Sequence, residues 1–178
     1  MPNTNDMRSA GATIMDNLWA PWRLSYVATN KPVGEQPCFI CRGLAQEDDR
    51  ANLIVWRTAL SVVLINRFPY NNGHLLVCPH AHKATLAELT SAELLDGMES
   101  VRLMIGVLDE LLQPNGYNVG LNLGAAAGAG VPGHLHWHLV PRWAGDTNFM
   151  PVLTDTRVIV QSLDTLHGLL SERLSRSV

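Results

Sequence analysis

The chain has 178 residues, 47% of them hydrophobic, with 13 Lys and Arg against 16 Asp and Glu for a formal charge of -3; that length and apolar fraction suit one domain with a real core and argue against global disorder. Charged residues at only 16% give no electrostatic footprint for wrapping nucleic acid or coating an anionic membrane, but leave room for a small polyanion in a local pocket. No run approaches the roughly 18–20 consecutive apolar residues of a membrane span, and Met1 to Met15 lacks the charged start and apolar centre of a signal peptide, so a cytoplasmic location is expected.

Residues 1–14 are polar and aperiodic and read as a flexible lead-in, with 15–178 as a single domain carrying a C-terminal extension. Segment 17–26 holds Trp19 and Trp22 and must pack on something, since exposed tryptophans are costly. A polar loop with Pro32, Gly34 and Pro37 then delivers Cys38 and Cys41 in a C-x-x-C pair. Two β-rich runs, 53–56 and 59–65, predict a hairpin. The turn-forming cluster 66–73 feeds a third strand over 74–78.

Thr90 and Glu93 make a capping box ahead of Leu94, Met98, Val101, Ile105, Leu108 and Leu112, which repeat at steps of four and three and predict one apolar stripe on a helix over 90–112. Pro114, Asn115 and Gly116 stop it. Strands are expected over 117–123 and 135–141, joined by the Gly/Ala-rich stretch 124–133. A second amphipathic helix is expected over 162–174 on Leu163, Leu166, Leu169, Leu170 and Leu174. Consecutive strands around one long helix predict an α+β domain with a mainly antiparallel sheet rather than alternating βαβ units.

The dominant chemical feature is His134, His136 and His138. In a strand, successive side chains alternate faces, so the three imidazoles point one way at about 6.5–7 Å spacing while Leu135, Trp137 and Leu139 point the other. A single such histidine is most often a hydrogen-bonded core residue; three in register each need partners that core packing does not supply. Just upstream, Gly124, Gly128, Gly130 and Gly133 let backbone N–H groups approach a ligand, the arrangement of an anion-binding nest. An imidazole nucleophile beside fixed N–H dipoles suits attack on phosphorus. The thiols of Cys38 and Cys41 with two imidazoles from His80, His82 and His134 suit a tetrahedral zinc site; a redox dithiol is the rival for the pair, and Cys78 reads as a small core residue. The three histidines are themselves a rival ligand set for a catalytic metal.

His134-Leu-His-Trp-His-Leu-Val140 resembles the H-x-H-x-H-x-x signature of the histidine triad (HIT) superfamily, and Gly73-His-Leu-Leu-Val-Cys-Pro-His-Ala-His82 is similar to its second signature strand. Leu18-Trp-Ala-Pro-Trp-Arg23, Asn66-Arg-Phe-Pro-Tyr-Asn-Asn-Gly73, Tyr117-Asn-Val-Gly-Leu-Asn-Leu-Gly124 and Pro141-Arg-Trp-Ala-Gly-Asp-Thr-Asn-Phe-Met150 look like the larger bacterial members, which include diadenosine polyphosphate phosphorylases. The resemblance implies a five-stranded antiparallel sheet with two helices per subunit, continued across a homodimer. It implies cleavage of diadenosine polyphosphates or related nucleotides, with His136 as nucleophile forming a nucleotidyl-histidine and His138 contacting the phosphate or leaving group, resolved by water or phosphate. It implies a structural Zn2+ on Cys38, Cys41, His82 and His134, and no organic cofactor. Asn66 falls where the family usually has an acidic residue on the ribose, or simply opens its turn, and Asn122, Gly128 and Gly130 are further substrate candidates. Phe39, Ile40, Leu44 and Leu64 suit an adenine slot or plain core, and Arg67 and Arg142 are candidates for distal phosphates.

One departure is visible. Smaller triad hydrolases carry Gln then Ser or Thr four and three residues before the first histidine, where this chain has Gly130 and Val131. Backbone N–H groups must substitute or the leaving group must differ, which favours dinucleoside polyphosphates over adenosine phosphoramidates. A nucleotide-binding protein with little turnover is the alternative from another class.

Overall fold

The β-rich runs form a meander whose last strand returns to the middle of the sheet. In this computed structural model, residues 38–150 and 158–176 are described; the expected lead-in 1–14 and the tryptophan segment 17–26 lie outside them. Strands β1 (Ile54–Arg57), β2 (Ser61–Ile65), β3 (Leu75–Pro79), β4 (Gly116–Leu121) and β5 (Trp137–Arg142) make one sheet in the order β1-β2-β3-β5-β4, every neighbouring pair antiparallel. Among the described residues there are two longer helices, α2 (Ser91–Leu112) and α3 (Leu163–Ser175), and a short α1 (Phe39–Leu44) where the sequence reading had only a loop. None of these helices is long and apolar enough to cross a membrane.

Period-two alternation divides the sheet into two faces. Val63, Ile65, Leu75, Val77, Leu135, Trp137 and Leu139 pack with α2 and α3 in the larger core. Val62, Leu64, Leu76 and Cys78 pack with Ile40 of α1 on the other side. Both faces of β2 and β3 are thus covered, and both strands are buried throughout. Cys78 is fully buried, as its mid-strand place predicts.

Helix α2 starts where its capping box predicts. Thr90 Oγ1 accepts from the Glu93 N–H, and the Glu93 carboxylate accepts from the Thr90 N–H at 2.7 Å. The buried line differs from the expected stripe: Glu93, Gly97, Ser100, Val101, Met104, Val107 and Leu108 face inward, while Met98 is 41% exposed. The cause is Trp137. Its ring lies so close to the helix that a Cβ on Gly97 would sit 3.1 Å from it, so the small residues turn to the sheet and Leu94, Ile105 and Leu112 pack along the margins. In α3 likewise, His167 is buried and its Nε2–H donates to the Ile54 carbonyl at 2.8 Å, while Leu169 is partly exposed.

Glu93 also accepts two bonds from Lys83 Nζ, at 2.8 and 2.7 Å. Lys83 first, then the Thr90 donors, hold this carboxyl down at about 2. Its folded value is below its unfolded one, so its contribution is fully present above about 4.5 and is lost as pH falls toward about 2. Urea unfolding of wild type and Glu93→Gln at pH 7 and pH 3 should therefore show a smaller pH difference in the variant. An undiminished difference would remove Glu93 from the acid response.

Candidate active site

Three pieces of chain meet at the site. The first is α1, which places Cys38 at its N-cap and Cys41 one turn on, with the Arg42 N–H donating to the Cys38 carbonyl. Residues three apart on a helix share a face, so both thiols converge. The second is the chain just after β3, which carries His82, and the third is the approach to β5, where the Leu135 N–H donates to the Lys83 carbonyl and fixes His134 beside it. Gly133 permits this close packing, since a Cβ there would lie 3.3 Å from His82 Nε2.

His134 is fully buried, and its Nε2 lies 2.8 Å from the Pro79 carbonyl. A carbonyl only accepts, so Nε2 carries the proton and Nδ1 keeps its lone pair. That lone pair faces Cys38 Sγ at 3.4 Å and Cys41 Sγ at 3.5 Å, and His82 Nδ1 lies 3.2 Å from Cys41 Sγ. With ordinary zinc bond lengths, the S-to-N edge of a tetrahedron is about 3.6 Å. Cys38, Cys41, His82 and His134, whose ligand atoms all fall within 4.8 Å of one another, could hold a metal ion. Burial, the largest influence, lowers His134 and so favours the neutral ligand form. His80 stays outside the cluster.

The triad alternates as expected, with His134, His136 and His138 opposite the core face of Leu135, Trp137 and Leu139. The buried His136 has Nδ1 2.8 Å from the His134 carbonyl. Nδ1 must donate there, which leaves the lone pair of a neutral imidazole on Nε2. The His136 and His138 rings are 5.0 Å apart and inclined at 65°. His138 pairs in register with Leu76 of β3 and Gly120 of β4. Burial, then the neighbouring His136, pushes His138 down to about 4, so it is neutral at pH 7.

His74, which the sequence reading did not single out, joins the group. It is fully buried and its Nε2 lies 2.9 Å from His138 Nδ1. The signal was its alternation with Leu76 and Cys78 on the triad face, but only the pairing of β3 with β5 gives that meaning. Asn122 Nδ2 lies 3.3 Å from His138 Nε2, so this candidate is brought to the site. Asn66 reaches it through His74, its Nδ2 3.3 Å from His74 Nδ1, while its Oδ1 accepts from the Phe68 N–H at 3.0 Å. That second bond is the turn role foreseen for it.

The remaining candidates are placed differently. In loop 124–133, the Gly128 N–H donates to the Ala125 carbonyl at 2.9 Å and Gly128 itself is left-handed, so that amide closes a turn. Gly130 is exposed. Ile40 and Leu64 belong to the core, whereas Phe39 is 39% exposed beside the cysteines. Arg142 is held by Asp146, at 2.6 and 2.9 Å, and by Asn118 at 2.8 Å. Arg67 reaches the Ala51 carbonyl at 3.5 Å. A cavity of about 570 Å³ lined by Trp56, Ser100, Leu103 and Arg173 opens beside α2 and α3, on the face away from the histidines.

A family model for the HIT domain matches residues 48–145. The chain is 36% identical over 168 residues to "AP-4-A phosphorylase" of Mycobacterium tuberculosis, covering 91% of this chain and 86% of that protein. It is 37% identical over 93 residues to the asymmetrical bis(5'-nucleosyl)-tetraphosphatase of Schizosaccharomyces pombe, covering 52% and 50%. Among solved structures, a zinc-bound histidine triad family protein from Mycobacterium smegmatis superposes with a TM-score of 0.63 at 22% identity, over 79% of this chain and 95% of that one, a likeness of fold.

Proposed function

The chain belongs to the HIT domain family, and on that premise we propose that it cleaves diadenosine polyphosphates or related nucleotides by nucleotidyl transfer through His136. The observation that carries this is the His136 Nδ1–H bond to the His134 carbonyl, which leaves a nucleophilic Nε2 in a row of imidazoles. His136 Nε2 attacks the α-phosphorus; the P–N bond forms as the bond to the leaving polyphosphate oxygen breaks, and His138 with Asn122 meets the phosphate and leaving-group oxygens. Neutral His138 supplies a hydrogen bond without placing a second positive charge beside His136. The loop 124–133 contributes backbone N–H groups from Gly130 onward, since the Gly128 amide is already engaged. Asn66 supports the ribose end through its amide.

Water or inorganic phosphate then breaks the P–N bond. The similarity to the M. tuberculosis phosphorylase over 91% of the chain favours phosphate, and the shorter match to the tetraphosphatase makes water the second reading. Diadenosine tetraphosphate with phosphate should give ADP and ATP, and the ADP should carry the added phosphate. AMP and ATP regardless of phosphate would mark a hydrolase. A thermal shift with no products would mark a binding protein.

The Cys2His2 cluster is proposed to take Zn2+, which would supply a fixed cross-link between α1, the end of β3 and the approach to β5. Four protein ligands close the shell and leave no position for a reacting water, so the role is structural. A homodimer is part of the same reading: among the described residues β4 is an open sheet edge, and Val119 on it, Leu123 just beyond it, and Leu95 and Met98 on α2 are exposed apolar residues. Light scattering should find twice the monomer mass. The partner is a small-molecule nucleotide, and the location cytoplasmic.

A further inference from the structure

The turn between β2 and β3 carries two aromatic rings outside the packed core, Phe68 at 81% exposure and Tyr70 at 48%. A single exposed apolar residue is ordinary on a protein surface. These two differ in being fastened to the candidate site. The Phe68 N–H donates to Asn66 Oδ1 at 3.0 Å, Asn66 Nδ2 lies 3.3 Å from His74 Nδ1, and the Tyr70 N–H meets that same nitrogen at 3.0 Å. The Tyr70 ring stacks on His138, with centroids 5.5 Å apart and planes inclined at 17°. Phe68 therefore stands two residues from a ring that touches the triad, no more than about 7.6 Å from Cα to Cα. Pro69 stiffens the display, because it fixes its own φ and confines the preceding Phe68 to extended backbone.

We propose, on the basis of the nucleotidyl-transfer reading, that Phe68 is the stacking platform for the base of the departing nucleoside. This subsite makes dinucleoside polyphosphates the substrate class, ahead of nucleoside polyphosphates that end in a bare phosphate. The transferred nucleotide lies at His136 with its ribose toward Asn66. The leaving polyphosphate passes His138, and the ring stacked on His138 is Tyr70, so the leaving chain runs out along the turn that displays Phe68. Arg67, exposed next to Phe68, adds a positive charge on that path. A polyphosphate has nothing that covers an apolar ring, whereas a nucleobase presents a π-face that does. Stacking does not read the hydrogen-bonding edges of a base, so adenine and guanine are both accepted at this end while loss of the base is felt. A second copy of the chain is the poorer occupant, since β3 and β5 stand between β2 and the β4 edge assigned to the dimer.

Calorimetry on the full-length protein tests this with two ligands: diadenosine tetraphosphate carrying methylene groups in place of its bridging oxygens, which binds without turnover, and AMP, which has no second nucleoside. Phe68→Ala should weaken the dinucleotide about 5- to 150-fold and change the AMP affinity by less than about twofold. Phe68→Trp, which keeps a π-face, should stay within about threefold of wild type for both, as should an analogue with guanine in place of one adenine. Equal losses for both ligands in Phe68→Ala overturn the proposal, because the ring would then serve the transferred nucleotide or the fold. An unchanged dinucleotide affinity overturns it too, as does a Phe68→Trp variant as weak as Phe68→Ala, or a changed light-scattering mass in Phe68→Ala, which would make the ring a subunit contact. Binding is read without chemistry. A protein with the predicted Phe68 dependence that cleaved no dinucleotide would refute the proposed function and leave the subsite standing; cleavage through His136 with no Phe68 dependence would do the reverse.

Discussion

His136→Ala is expected to lower turnover of diadenosine tetraphosphate on the order of 10⁴-fold or more while Tm falls by about 2–12 °C. The asymmetry follows from where the ring sits. Its neighbours in sequence, Leu135 and Trp137, fill the core on the helix side, and His136 lies on the opposite face. Its one hydrogen bond among the described residues goes to the carbonyl of His134, two residues back, so truncation leaves one backbone acceptor without that donor, at a cost of about 1–3 kcal/mol. On the proposed mechanism, catalysis loses the imidazole whose Nε2 lone pair the His134 carbonyl fixes. His138→Ala should be less severe, about 10²–10⁴-fold, because it removes a hydrogen-bond donor rather than the bond-forming atom. Initial rates and thermal melts on the same samples check both; near-wild-type turnover in His136→Ala would rule out covalent transfer through this residue.

The second large effect is on the metal cluster. Wild-type protein should carry one zinc per chain, and Cys38→Ser none. A site contributing even about 4 kcal/mol raises Tm by roughly 8–16 °C in a chain of this size, so both Cys38→Ser and chelator treatment of the wild type should lower Tm on that scale. The variant's own Tm should be indifferent to chelator. Turnover should fall as well, because His134 offers its Nδ1 to the cluster and its carbonyl to His136. Zinc retained without the cysteines would make the histidine row the ligand set, and absence of zinc from the wild type would leave Cys38 and Cys41 as a redox pair.

Much of this was legible in the residues. Alternation over 134–139 divided imidazoles from core side chains because a strand has a period of two, wherever its partners lie. Thr90 with Glu93 marked a helix start that the structure keeps, since a cap is a local device. What the sequence did not show depended on contacts distant along the chain. C-x-x-C spacing looks the same in a loop as in the first turn of α1. Gly97 carries no apolar signal, yet its lack of a side chain is what admits Trp137 and rotates the buried face of α2. His74 acquires a role only because β5, some sixty residues later, inserts between β3 and β4 and sets His138 opposite Leu76. The Gly/Ala loop is the least legible piece, because a turn closed by the Gly128 amide and an open row of amides have the same composition.

The central claim is that His136 Nε2 takes the nucleotide. Mixing the protein with diadenosine tetraphosphate, quenching within the first turnover in alkali, where a phosphorus–nitrogen bond to histidine survives, and mapping the adduct by peptide mass spectrometry tests it most directly. The predicted result is one AMP group on His136, absent from His136→Ala; AMP on His138 or another residue, or complete turnover with no adduct at any quench time, would contradict it.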